Sequence, residues 1–416
     1  MREMKNSGVE WIGKIPKEWS IVKFKYLHNG LNTGEAIDKE YWESDAGLNA
    51  FYTAGLTPIR TGYSNFPTWK ETRENDLLLA RNGTPYVYLP VSKAYYTDHI
   101  IRAAMSSLVN RRFIRYCLQQ SIASIAVDSV SIPTWSATLW NNQILTWPSV
   151  IEQERIAAFL DAECAEIEAV LEKTRASIEE YKKLKQAVIT QAVTKGIRGD
   201  RPMKDSGIEW IGDIPKEWDC KKVKYVTSIS RGIFNHRPRN DERYYGGEYP
   251  FIQTGDVAGA QKYIESYSQT LNELGKSVSK CFPKGTLTMT IAANVGDAAI
   301  LGFDAFFPDS VVGFIPNADI NDEYLYYIFK AMKSEFVRTA IKSTQLNLNV
   351  ERIRDLFVPV VVQKSEQLEI AEYLNTKCAD IDALIAKKQQ YLTEIENYKK
   401  SLIYEYVTGK KEVHPL

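Results

Sequence analysis

The residues of this chain best suited to chemistry are arginines and asparagines gathered in loops. The stretch Arg231-Gly-Ile-Phe-Asn235-His236-Arg237-Pro-Arg239, with Arg243 close behind, joins Arg and Asn side chains to Gly and Pro that shape a turn. Guanidinium and carboxamide groups can make paired hydrogen bonds to guanine and adenine edges, so such a loop suits a nucleic-acid groove. Smaller clusters of the same kind are Arg81, Asn82 and Thr84, and the run Ser343–Asn349 with Thr344, Gln345 and Asn347; Arg60 and Asn294 join the candidates. Charge supports the choice. Lys221–Arg243 holds seven Lys/Arg against two acids, and Arg102–Arg115, which contains Arg111 and Arg112, holds four arginines and no acid. Local excesses of this size are what a phosphate-tracking face needs. For any single residue the plainer reading is a solvated loop or a hairpin turn; recurrence in two separate parts of the chain favours nucleic acid.

The groups that would do covalent chemistry are missing. There is no Pro-Pro pair, hence no Asn/Asp-Pro-Pro-aromatic motif, and no G-x-G-x-x-G. The one Pro-Asp, Pro308-Asp309, lacks the following acid-x-Lys of a metal-dependent nuclease. Gly8–Lys14 fits G-x-x-x-x-G-K, but Ile15 stands where a magnesium-binding hydroxyl belongs, so the P-loop is set aside. His28, His99, His236 and His414 have no evident triad partners, and five scattered cysteines form no Cys-x-x-Cys. We expect neither a catalytic residue, nor a metal site, nor a cofactor site on this chain.

The scaffold that must hold the loops is duplicated. Met4–Trp19 recurs as Met203–Trp218 with thirteen of sixteen residues identical, and Glu152–Lys173 recurs as Glu366–Lys387. The order is box, variable segment, helix, then the same again, which implies pseudo-twofold symmetry. Apolar residues in the repeated helix alternate at spacings of three and four: Leu160, Ile167, Leu171 and Ile178 in one copy, and Leu374, Ile381, Ile385 and Leu392 in the other. Two such heptad seams can pack as an intramolecular coiled coil, with polar Thr174, Lys185, Lys388 and Lys399 fixing register. A helix from about Glu152 to Val193 would be roughly 60 Å long at 1.5 Å per residue, too long for one small domain. The boxes, each with two Trp and an Ile-Pro, read as packing anchors.

Between box and helix, short β-like runs such as Leu77–Pro90, Tyr249–Val257 and Thr286–Phe303 alternate with Gly, Asn and Pro turns. The spacing predicts an α/β (α+β) fold with two small α/β domains. Expected boundaries are 1–148 for the first domain with its box at 4–19, 149–196 for the central helix, 197–358 for the second domain with its box at 203–218, and 359–416 for the terminal helix. The two variable segments resemble each other little. Lys+Arg and Asp+Glu balance at 52 each, which argues against an indiscriminate polybasic binder but leaves room for local patches. No run of about 18 apolar residues exists to span a bilayer, so no membrane association and a cytoplasmic location are expected.

The box SG[VI]EWIG[KD]IPKEW, the helix start EQ..IA.[FY]L and the endings VTKG and VTGK together resemble the specificity (S) subunit of type I restriction-modification systems. The resemblance covers essentially the whole chain. It implies that the variable segments are target recognition domains, each reading half of a bipartite DNA sequence, and that the helices pack antiparallel and set the unread gap. It further implies two modification subunits that methylate adenine at N6 with S-adenosylmethionine, and restriction subunits that use ATP and magnesium. Thr288–Gly296, Phe307-Pro-Asp-Ser310 and Thr344–Asn349 in the second segment, and Leu77–Thr84 in the first, look like stretches frequent in such domains. The first segment has no clear counterpart of the first and third of these. Two other readings stay open: a coiled-coil scaffold indifferent to sequence, which would bind a split duplex and its scrambled version alike, and a nuclease or methyltransferase with an unrecognised site, which would act on DNA alone.

Overall fold

The computed structural model describes residues 2–42, 49–125, 133–292, 294–342 and 346–413. The chain divides into two compact units, Met1–Arg175 with Gln390–Leu416, and Ala176–Gln389. Each of the long helices, Val150–Lys195 and Lys364–Val407, contributes one half to each unit.

Each unit contains one box, a hairpin of Met4–Asn6 on Lys14–Pro16 in the first and Met203–Asp205 on Asp213–Pro215 in the second, in the same register. The turn closes because Ser7 Oγ donates to Gly13 O and accepts from Val9 N. Ile12, Ile15 and Trp19 are driven inward and lie in one core with Leu402, Ile403 and Val407 of the terminal helix; Ile211, Ile214 and Trp218 do the same with Ile189, Ala192 and Val193. A box is thus wedged under the end of one long helix, and its arginine ties it to the start of the other. Arg2 Nη1 lies 2.5 Å from Glu152 Oε1, and Arg201 Nη1 lies 2.5 Å from Glu366 Oε1. The next residue, Gln153 or Gln367, turns into the variable domain: Gln367 Oε1 accepts from Asn321 N at 2.8 Å, and Gln153 Oε1 accepts from Asn110 N at 3.3 Å. Both asparagines cap a domain helix, Asp322–Ala331 and Arg111–Ala123 respectively. The duplicated Glu-Gln is therefore a clamp that fastens box, long helix and domain helix together.

Within each unit the long helices run antiparallel. In the first, Lys399 Nζ pairs with Glu168 and Arg175 pairs with Glu396 at 2.8 Å; in the second, Lys185 pairs with Asp382 at 2.6 Å and Lys388 Nζ lies 5.7 Å from the centre of the Tyr181 ring. Lys399–Glu168 and Lys185–Asp382 are the same pair in the two copies. Leu160, Ile167, Leu171, Ile178, Leu374 and Ile381 are buried, with Ile385 and Leu392 half-buried. Each fully buried Leu or Ile contributes about 1.5–3 kcal/mol.

The variable domains share a topology that their sequences hide. In the first, strands are ordered 28–33, 100–105, 76–80, 87–88; in the second, 227–231, 311–316, 287–290, 298–301, followed by 263–264. Registers correspond: Ile101 faces Thr33 as Val312 faces Arg231, and Ile100 faces Ala80 as Val311 faces Thr290. Asp76–Ala80 and Leu287–Thr290 are buried along their whole length, as strands covered on both faces must be. Each domain also carries a smaller sheet, of three strands in the first and four in the second. One predicted β-run changes character: Tyr245–Phe251 is a strand, but Thr254–Gly259 is a turn and a half of helix, started by reciprocal hydrogen bonds between Gln253 and Asp256.

His28 offers a pH handle on the first unit. Burial, opposed by the Asn141 Oδ1 contact 2.8 Å from its Nε2, holds its pKa below the usual 6.5. The folded state binds this proton less well than the unfolded chain, so its contribution to stability is complete above 6.5 and is lost as pH falls through the lower folded value. We expect the drop in melting temperature between about pH 7.5 and pH 5.5 to be smaller in His28→Gln than in the wild type. Identical drops would show that this imidazole is not the source.

Candidate nucleic-acid interface

In the second unit the sequence-selected clusters converge on one end of the five-stranded sheet. Arg231 ends its strand opposite Val312, and Thr290 ends its own opposite Val311, so the loop after Arg231 and the turn containing Asn294 leave the same edge. Asn294 is exposed, and its carbonyl is held by Thr290 Oγ1. Leu348 N donates to Ile291 O at 2.9 Å, which brings the segment ending in Asn349 to the same place. Thr344 and Gln345 lie outside the described residues, and of Asn347 only the backbone is described, in a two-strand pairing with Ile341–Lys342.

Two carboxylates organise the arginine loop. Asp241 accepts from Arg243 Nε at 3.0 Å and Nη2 at 2.7 Å, and lies 3.0 Å from His236 Nε2. The Arg243 hydrogen bonds hold its carboxyl far below the usual carboxylate range. The His236 ring in turn stacks on Tyr244 at 4.0 Å. Asp309 accepts from Arg239 Nη2 and lies 3.6 Å from Arg237 Nη2, while its backbone carbonyl accepts from Arg231 Nε. Arg237 Nη1 is turned back onto the loop, donating to Phe234 O at 2.6 Å and His236 O at 2.7 Å. Asn235 is exposed, its backbone N–H bound to Val278 O at 3.0 Å.

In the first unit Arg81, Asn82 and Thr84 take the place that Ile291, Ala292 and Asn294 hold in the second, directly after the buried strand. The loop is pinned by Trp135, whose Nε1 donates to Gly83 O at 2.7 Å, and Asn82 Nδ2 lies 2.9 Å from His99 Nδ1. Arg60 sits apart, on the small sheet. Arg111 and Arg112 are also elsewhere. Arg111 Nη1 donates to Asp76 O at 3.1 Å, at the opposite end of that strand, and Arg112 pairs at 2.9 Å with Asp161 of the central helix. Five strand residues, roughly 16 Å, separate them from the Arg81 loop. Asp98 stands where Asp309 stands, and Arg81 Nη1 lies 3.5 Å from its carbonyl.

Comparison with known proteins shows what this frame is similar to. Residues 215–396 match a family profile described as the type I restriction modification DNA specificity domain. The MjaIX specificity subunit of Methanocaldococcus jannaschii is 31% identical over 187 residues, which take in 43% of this chain and 41% of that one. The MjaVIII specificity subunit of the same organism is 23% identical over 97% of this chain and 95% of its own length. In fold, a chain from a structural study of complex assembly and conformational transition of the type I R-M system superposes with a TM-score of 0.70 at 13% identity, covering 95% of this chain and 99% of that one. The chain is similar to the specificity subunits of type I restriction-modification systems, by profile in its second half and by one relative over nearly its whole length.

In this chain the frame is what repeats, and the repeat extends beyond the boxes. Lys23-Phe24-Lys25-Tyr26 recurs as Lys222-Val223-Lys224-Tyr225 at the same offset as the boxes. Both tyrosines are exposed, 70% and 64%, each with the preceding lysine over its ring at 4.8 Å and 5.4 Å. Extending the box comparison past Trp19 finds them. Asp309 and Asp98 were missed because Pro308-Asp309 was weighed only as a nuclease motif; the signal was the pairing of Tyr96-Thr97-Asp98 with Phe307-Pro308-Asp309. Among the described residues no group of His, Cys, Asp and Glu is placed to hold a metal, and no helix is long and apolar enough to cross a membrane.

Proposed function

We propose that this subunit gives a type I restriction-modification complex its DNA target, each variable domain reading one half of a bipartite sequence. One observation carries the reading: two domains with different polar loops are fastened to their helices by the same arginine, glutamate, glutamine and asparagine cap. Identical mounts with different reading edges suit a protein that presents two dissimilar sequences to identical partners. Lysines and arginines supply salt-dependent affinity, and the loop edges supply sequence choice. Two modification subunits bind, one to each half, and methylate adenine at N6 using S-adenosylmethionine. Restriction subunits add cleavage with ATP and magnesium. The chain itself is non-catalytic and the target adenine is flipped into the partner's pocket. The paired helices set the unread gap.

Mapping methylated adenines in cells that carry the system with and without this chain tests the proposal. The expected result is one split motif that vanishes with the chain. Adding a helical turn between Thr174 and Tyr181, with the matching addition at 388–395, is expected to alter the gap and leave both half-sites unchanged. Methylation at no defined sequence overturns the function, and an unaltered gap overturns the spacer.

A further inference from the structure

We propose that Asp309 aims the arginines that read the second half-site, with Arg231 and Arg239 as guanine readers and Arg237 as a part of the loop's own frame. The inference rests on the DNA-reading function proposed above and assigns roles within it. It begins with hydrogen-bond capacity. A guanidinium has five N–H donors in a fixed plane. Arg237 gives Nη1 to two loop carbonyls and turns Nη2 toward Asp309, so most of its fork is taken up by protein. Arg231 gives only Nε, to the Asp309 carbonyl, and so keeps the end-on pair Nη1 and Nη2. Arg239 gives Nη2 to the Asp309 carboxylate and keeps Nη1 and the second hydrogen of Nη2. Either remaining pair matches the O6 and N7 acceptors on the major-groove edge of guanine.

Charge points the same way. A loop meant only to grip phosphates gains nothing from a carboxylate among three arginines, because it cancels part of the attraction. A loop meant to read bases gains direction, since a guanidinium anchored on one side has fewer orientations to lose on binding. The anchor itself is rigid. Gly232 brings the strand end so close to Phe307 and Pro308 that a Cβ there would stand 2.4 Å and 2.3 Å from their carbonyl oxygens. Phe307 is stacked on Phe282 at 3.9 Å. The first domain keeps the same device despite its different sequence: a Cβ on Gly34 would meet Tyr96 O at 1.8 Å, and Asp98 follows two residues later. What differs is the set of arginines each aspartate serves.

The test uses the full chain assembled with its modification subunits and a duplex carrying the motif found by methylation mapping. Each guanine of the second half-site is replaced in turn by 7-deazaguanine, which lacks the N7 acceptor. Wild-type affinity is expected to fall roughly ten- to a hundredfold at one or two of them. In Asp309→Asn these losses shrink to a few-fold, affinity for a scrambled duplex stays or rises, and the first half-site is read as before. Arg239→Gln, an exposed change, removes the loss at its own guanine, whereas Arg237→Gln weakens all sequences alike. Full discrimination retained by both Asp309→Asn and Arg239→Gln, or no guanine whose N7 matters, overturns the inference. A wild-type complex that fails to discriminate at all sinks the proposed function instead.

Discussion

Replacing Gln367 by alanine is expected to cost the second unit about 3–5 kcal/mol of stability. The side chain is fully buried and makes three hydrogen bonds: Oε1 accepts from Asn321 N, and Nε2 donates to Asp319 O and Val361 O, both at 2.9 Å. Alanine leaves all three backbone groups without this partner, the bond to Val361 O wholly buried and the other two partly so, and each unmade buried hydrogen bond costs about 1–3 kcal/mol before any relaxation. The cap fails with it, because Asn321 both gives its N–H to Gln367 and takes Tyr324 N at 2.8 Å to start the domain helix. Gln153 provides the control. It makes two comparable bonds, at 3.3 Å from Asn110 N and 3.1 Å to Pro148 O, so Gln153→Ala should cost about 1–3 kcal/mol. Gln367→Glu keeps the acceptor but turns a carboxylate on two carbonyls, and is expected to be at least as damaging as alanine. Urea denaturation followed by hydrogen exchange on each unit measures all three. Equal losses for Gln153→Ala and Gln367→Ala would refute the link between bond number and cost.

The second large effect is expected from one methyl group at the root of each reading edge. Alanine at Gly34 or Gly232 places its Cβ against backbone oxygens, at 1.8 Å and 2.3 Å, and backbone cannot swing aside as a long side chain does. The strand end must separate from Tyr96 and Thr97, or from Phe307 and Pro308. Overpacking of this kind costs about 1–3 kcal/mol or more. The functional cost should exceed the stability cost, because separation moves Asp98 or Asp309 away from the arginines beside it. We expect each variant to lose recognition of its own half-site and keep the other, read as a methylation motif degenerate on one side. Gly246→Ala is the comparison: its φ of 81° strains a side chain, but nothing lies within 4 Å, so about 1 kcal/mol and no change in motif are expected. Loss of both half-sites in either root variant would mean that the change acts through folding of the whole chain.

The frame was legible because duplication doubles every signal: one box could be chance, but two in the same order with matching helices could not. Seam positions such as Leu160 and Leu374 followed from spacing alone. Register did not, because a heptad pattern fits several alignments, and the selection of Lys185–Asp382 and Lys399–Glu168 required coordinates. The shared topology of the two domains was invisible since Leu-Leu-Leu-Ala and Leu-Thr-Met-Thr have only one residue in common, yet both merely have to fill a strand buried on two faces. The helix Thr254–Gly259 was hidden by its two glycines, although Gln253 and Asp256 announce it. Charge counting picked out the Arg231–Arg243 loop and the Arg111–Arg112 pair alike, although they lie at different places in their domains, because a sum of charges carries no positions: Arg111 donates to Asp76 O and Arg112 pairs with Asp161 of the central helix. It also passed over Asp309, which lies far outside the counted stretch and meets those arginines only in the fold.

The Glu-Gln clamp has a consequence for inheritance. All that the frame asks of an insert is a strand to pair with the one that follows the box, an asparagine-capped helix for the glutamine to hold and a first strand that leaves from the lysine–tyrosine pair. None of these requirements touches the reading edge. If the variable domains read DNA as proposed, an exchange of genetic material between the end of a box and the next Glu-Gln carries a complete specificity into an intact mount, and selection can alter what is read without reopening the question of whether the chain folds.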